Sequence, residues 1–228
     1  MTTPLETTLS KEKVKEIIAR RIAKEFKSND VVTLGIGLPN EVLHYIPSDI
    51  NVVIQSENGV LGLDKNGLEG EDFDKRIINS AGVPTKIKEG ASFFDTQKSF
   101  MMMRGGHIDI TVLGALQVDE VGSIASWLIP NKFIPGIGGS MDLVVGAKKV
   151  IVAMEHISKG SIKIVDKCNL PLTGYREVDM LVTERCVFEY KNDKMYLTEI
   201  NPIYTIEDIK NSTTANFIVS DNLKSMID

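Results

Sequence analysis

Short runs of β-branched and aliphatic residues recur along this chain, and several stop at a glycine turn that leads into helical spacing. Val31-Val32-Thr33-Leu34-Gly35-Ile36 is one such run; Gly37-Leu38-Pro39-Asn40 turns it toward Val42, Leu43 and Ile46. β-Branched content favours extended backbone, and a change from strand runs to helical spacing marks a βα unit. Ser10 is a helix cap ahead of Val14, Ile17, Ile18, Ile22 and Phe26, which form one apolar stripe ended by Asn29 and Asp30. Further strands are expected over residues 51–54, 109–113 and 149–154, with a β-rich tail over 178–183, 186–190 and 195–199. Thr205 and Asp208 have capping-box spacing for a last helix, and residues 64–74 read as an acidic, glycine-rich surface loop. No linker or repeat separates these parts, so one doubly wound α/β domain over residues 1–228 is expected. In such sheets functional groups collect in loops at the carboxyl ends of strands.

The chain has 228 residues, enough to bury a large core, and a hydrophobic fraction of 43% that does not suit a disordered chain. Its net charge of −5 argues against a nucleic-acid partner, which calls for a basic surface. The two cysteines, Cys168 and Cys186, form no C-x-x-C pair and read as free thiols of a reducing compartment. The segment MTTPLETTLSKEK has no apolar core of a signal peptide, and no apolar run reaches the ~18 residues of a membrane span. A cytoplasmic chain with no membrane contact is expected.

Three loops fall at strand ends. The first is Ser56-Glu57-Asn58-Gly59. A carboxylate above the apolar floor of a buried strand is more reactive as a nucleophile, and Asn58 and Gly59 supply a turn that pushes the side chain outward. Taken alone, the tetrapeptide reads first as a solvated turn. The second is Gly136-Ile137-Gly138-Gly139-Ser140, running into Met141-Asp142-Leu143. Its amides can face an anion or a developing oxyanion, or the loop is a structural turn. It lacks the spacing of a dinucleotide fingerprint and the G-K-[ST] of a P-loop. The third is Gly35-Ile36-Gly37-Leu38-Pro39-Asn40, a common packing device when taken alone. His107 is open to a general-base or a structural reading. His44 and His156 have no partners at metal-ligand spacing, so no metal is expected. Met101, Met102 and Met103 are expected to fill core space behind Phe93, Phe94 and Phe100. Trp127 reads as a core or interface anchor.

The order of these segments is more specific than any one of them. LGIGLP at 34–39, QSENGVLG at 55–62, GASFF at 90–94, RGGHIDITVLGALQVD at 104–119, ASWLIP at 125–130, GIGGSMDLV at 136–144, MEH at 154–156 and LPLTG at 170–174 together resemble the family I coenzyme A transferases. The likeness runs along nearly the whole chain. It is greatest to the β subunits of acetate/butyrate–acetoacetate transferases and to the C-terminal half of fused succinyl-CoA:3-oxoacid enzymes.

The resemblance implies a three-layer α/β/α fold with a mostly parallel sheet, the CoA-transferase (NagB/RpiA-like) fold. It implies Glu57 as covalent nucleophile, and Gly138 and Gly139, with Gly139 preferred, as amide donors to the thioester carbonyl. Asn58, Gly59 and Gly37 are candidate pocket residues. Coenzyme A would be a substrate, with no resident cofactor. The partners implied are a separate α subunit in a heterotetramer or larger assembly, an acyl-CoA and short-chain carboxylates. A 3-oxoadipate or succinyl-CoA:3-oxoacid transferase subunit is the alternative within the family, and a non-catalytic sensor of the same fold the alternative outside it. The chain departs from its relatives at Ile137 and Ser140, at Asn131, at Asn79-Ser80-Ala81-Gly82 and at Lys88-Glu89-Gly90. These departures bear on acyl-chain preference and subunit contacts.

Overall fold

A computed structural model describes residues 9–65, 74–132 and 136–227. Helix α1, Lys11–Ala23, starts at Ser10, whose hydroxyl accepts the Lys13 N–H at 3.2 Å. Strand β1, Val31–Leu34, leads through α2, Leu38–Glu41, and a 3-10 turn, Val42–Tyr45, into β2, Val53–Ser56. Next come β3, Val60–Leu63, β4, Ile87–Phe93, α3, Thr96–Arg104, and β5, Ile110–Leu113. Two short strands, β6 at Gln117–Asp119 and β7 at Ile124–Ala125, precede α4, Ser140–Gly146, and β8, Val150–Ala153. The remainder is β9, Ile157–Ser158, β10, Ser161–Ile162, β11, Ile164–Val165, β12, Met180–Val182, β13, Cys186–Lys191, β14, Lys194–Ile200, α5, Ile206–Asn211, and β15, Ile218–Ser225.

Ten strands form one sheet in the order β15-β14-β13-β12-β8-β5-β1-β2-β3-β4. The run from β12 to β2 is parallel, and β3 and β4 continue it antiparallel. Side chains alternate between the two faces of this sheet. Val32, Ile151 and Met180 join the core beneath α1, while Val150, Val152 and Leu181 join the core beneath α3, α4 and α5. Strands buried on both faces show continuous apolar runs, which is how β8 and β12 read. The result is three layers, α/β/α. Among the described residues, no helix is long and apolar enough to cross a membrane.

The expected elements hold with shifts that matter. Strand β1 stops at Leu34 rather than Ile36, because the chain turns outward and leaves Ile36 70% exposed. Strand β2 runs on to Ser56, so Glu57 follows the last paired residue directly. The capping box is present: Thr205 Oγ1 accepts the Asp208 N–H at 3.1 Å, and Asp208 Oδ2 accepts the Thr205 N–H at 2.8 Å. The methionine expectation needs correction. Met103 is buried, but Met101 is 62% exposed and Phe93 59% exposed, because α3 lies on the surface of the outer layer. Trp127 is half-buried and donates to the Leu172 carbonyl at 3.3 Å. Residues 66–73 of the expected acidic loop lie outside the described residues.

Candidate active site

Strand β1 sits between β2 and β5, and the chain leaves it toward β2 on one side and returns as β5 on the other. At such a switch point the loops diverge and leave a crevice at the carboxyl ends of the strands. A cleft of about 530 Å³ occupies this place. Its walls come from Gly35 and Ile36 after β1, Glu57 after β2, Gly114 to Leu116 after β5, and Gly136 to Ser140 ahead of α4. All three loops therefore meet in one hollow, although residues 35, 57 and 139 are far apart in sequence; the glycine loop does so as the start of α4 and not at a strand end, since the preceding strand stops at Ala125.

Glu57 is half-buried, and the Gly139 N–H donates to its Oε2 at 2.9 Å. The glycines at 138 and 139 are needed for this approach. A Cβ on Gly139 would lie 2.5 Å from Glu57 Oε2, and one on Gly138 would lie 3.2 Å from Oε1. Gly138 also has a φ of 51°, a left-handed conformation that glycine adopts without strain. The local fold holds the carboxylate against a backbone amide in a cleft, a geometry able to stabilise charge on that carboxyl oxygen.

The remaining candidate residues shape this arrangement from outside the cleft lining. Gly59 has a φ of 110°, and a Cβ there would collide with the Phe94 carbonyl oxygen. It lets the β2–β3 turn pack against the end of β4. Asn58 is exposed and its Nδ2 donates to the Ile78 carbonyl at 2.9 Å. Gly37 has a φ of 82° and precedes α2. His107 is exposed beyond α3, and His44 is exposed too. His156 is fully buried between the hydroxyls of Thr183 and Thr213, at 3.0 and 3.1 Å. Cys168 and Cys186 are free thiols. Among the described residues no three His, Cys, Asp or Glu side chains converge at metal-ligating positions.

Sequence reasoning missed the polar chain next to Glu57. Thr33 Oγ1 donates to Gln55 Oε1 at 2.6 Å, and Gln55 Nε2 donates to Ser99 Oγ at 2.8 Å. This ties β1 and β2 to α3 just below Glu57. A signal was available at Thr33, a polar residue inside an otherwise apolar strand, since buried polar groups demand partners; Gln55 lay just past the expected strand over 51–54.

Known proteins resemble this chain in sequence and in fold. The profile of the family described as Coenzyme A transferase matches residues 15–212. The β subunit of an acetate CoA-transferase of Haemophilus influenzae is 49% identical over 213 residues, covering 93% of this chain and 95% of its own. One subunit of a succinyl-CoA:3-ketoacid coenzyme A transferase of Helicobacter pylori is 46% identical, covering 90% of this chain and 99% of its own. The crystal structure of the acyl-CoA transferase YdiF apoenzyme from Escherichia coli O157:H7 has the same fold, with a TM-score of 0.76 at 21% identity. That match takes in 96% of this chain but only 44% of the longer YdiF chain. This chain belongs to the coenzyme A transferase family, and so to the transferase enzymes.

Proposed function

We propose that this chain moves coenzyme A between a short-chain acyl-CoA and a free carboxylate such as acetoacetate, through a glutamyl-CoA thioester on Glu57. The observation that carries the reading is the Gly139 N–H held 2.9 Å from Glu57 Oε2 inside the cleft. A Glu57 oxygen attacks the acyl-CoA carbonyl; the C–S bond breaks, leaving an acyl-glutamyl anhydride and CoA thiolate. Thiolate then attacks the glutamyl carbonyl, and the electron pair moves onto an oxygen that already accepts a main-chain N–H. That hydrogen bond strengthens as charge develops. Collapse releases the first carboxylate and leaves the glutamyl-CoA thioester. An incoming carboxylate reverses the sequence and departs as the new acyl-CoA. Thiolate is both a good nucleophile and a good leaving group, so coenzyme A acts as substrate and no further cofactor enters these steps.

A separate α subunit is part of this reading, since the similar Haemophilus and Helicobacter proteins are each named as one subunit of their enzyme. We place the enzyme in the cytoplasm, where Cys168 and Cys186 remain thiols. The Helicobacter name favours succinyl-CoA as a second donor. The test is co-expression with the neighbouring gene's product, followed by a panel of acids with acetoacetyl-CoA. Borohydride added with acyl-CoA should reduce the thioester at Glu57 and inactivate the enzyme, and Glu57→Ala should abolish transfer. Full transfer by Glu57→Ala in the assembled enzyme would overturn the assignment.

A further inference from the structure

The cleft in front of Glu57 has Leu34 and Ser80 in its wall, and so does a second hollow of about 220 Å³ beside the β2–β3 turn. The loop carrying Ser80 is tied to both neighbours of the nucleophile. Ser80 N–H donates to Ser56 Oγ at 2.9 Å, and the Asn58 amide donates to the Ile78 carbonyl, also at 2.9 Å. The loop is closed on itself as well: Asn79 Oδ1 accepts the N–H groups of Ala81 and Val83, and Gly82 takes a φ of 74°. Ser80 is therefore held in register with Glu57. Its side chain is exposed, and its hydroxyl makes no hydrogen bond among the described residues.

Beyond Ser80 the second hollow has apolar walls at Leu43, Ile54 and Leu63. Several polar groups that also face it are bonded elsewhere. Lys65 donates to the carbonyls of Pro47 and Ile50, Gln55 bonds Thr33 and Ser99, and Asn79 serves its own loop. Asn40, His44, Asp64 and Thr85 line it too, but of the hollow's polar residues Ser80 is the one that also lines the Glu57 cleft, so its hydroxyl stands at the threshold between the carboxylate and a recess of mixed walls.

We propose that the second hollow takes the far end of the acyl chain and that Ser80 is a specificity-determining residue, donating a hydrogen bond to an oxygen on acyl C3. The contact favours acetoacetate, the carboxylate of the proposed function, over acids that lack the 3-oxo group. This deepens the proposed function and rests on that reading of Glu57. A site that offers a hydrogen bond to a substrate oxygen discriminates against the analogue lacking it. A neutral bond at an exposed hydroxyl is worth a factor of about three to ten.

Acetoacetate and butyrate have the same carbon count and differ in the 3-oxo group, so they isolate this contact. In the assembled enzyme, Ser80→Ala should lower the ratio of kcat/KM for acetoacetate over butyrate by about three- to tenfold, and Ser80→Thr, which keeps a hydroxyl, should restore it. Val83→Phe, which narrows the second hollow, should lower butyrate relative to acetate. An unchanged acetoacetate-to-butyrate ratio in Ser80→Ala overturns the role of Ser80. An unchanged butyrate-to-acetate ratio in Val83→Phe overturns the role of the hollow. If the assembled wild-type enzyme transfers no CoA and yields no borohydride-trapped Glu57, the proposed function itself has failed; with both present, unmoved ratios sink this inference alone.

Discussion

Two glycines beside Glu57 look alike in sequence and do opposite things. Gly59 is bound to the fold: its φ is 110°, and a methyl there would run into the Phe94 carbonyl, a backbone atom with nowhere to go. Gly59→Ala should lower unfolding free energy by about 2 kcal/mol or more, read as a shifted urea midpoint with unchanged slope. Gly139 has an ordinary φ of −85°, and its missing Cβ faces the flexible ends of two side chains, Glu57 and, at 3.4 Å, Met103. Gly139→Ala should fold with a melting temperature near wild type yet lose about a hundredfold in kcat, because the methyl displaces the carboxylate from its amide. The glutamate was legible at a strand end, and the glycine loop as the approach to a helix. What Gly59 serves was not, since Phe94 follows a strand the local pattern did not reveal.

At the scale of elements, α3 and α4 cross where Gly146 meets the main chain of Met103, and a methyl on Gly146 would collide with the Met103 carbonyl oxygen. Gly146→Ala should force the helices apart, cost about 1–3 kcal/mol in urea unfolding, and lower transfer as well, since the amide of Gly139 sits at the start of α4. The ion pair of Arg104 Nε with Asp142 Oδ1, at 2.5 Å, spans the same helices with its arginine 67% exposed. Arg104→Ala should therefore change stability by no more than about 0.5 kcal/mol. Helix α1 was readable because it buries one continuous stripe. Helix α3 was not: its methionine run has no clean period, with Met101 outside and Met103 inside. Strands β3 and β4 were missed because Gly62 and Gly90 sit within them in left-handed conformations, at register shifts that break the alternation.

For the whole molecule, acid should be a liability through His156. Burial first, and the nearby Arg185 charge second, push its pKa from 6.5 down to about 3. The folded value lies below the unfolded one, so the unfolded chain takes up a proton that the native chain refuses. The stability held above pH 6.5 is lost as pH falls toward 3. Between pH 7 and 4.5 this group should cost on the order of 2 kcal/mol, and His156→Gln should flatten that part of a stability-versus-pH curve. The isolated chain should also show almost no transfer until its partner is added, measured by titrating one subunit into the other. Local chemistry alone settled that the chain is a layered α/β protein with a carboxylate at a strand end, because strand propensity, capping and turn residues act over a few positions. The meeting of Glu57 with Gly139, 82 residues further on, the polar chain beneath it and the two joined hollows were decided by tertiary structure. They depend on strand order in the sheet, and the order in which strands pair is a long-range free-energy balance that no short stretch of residues contains.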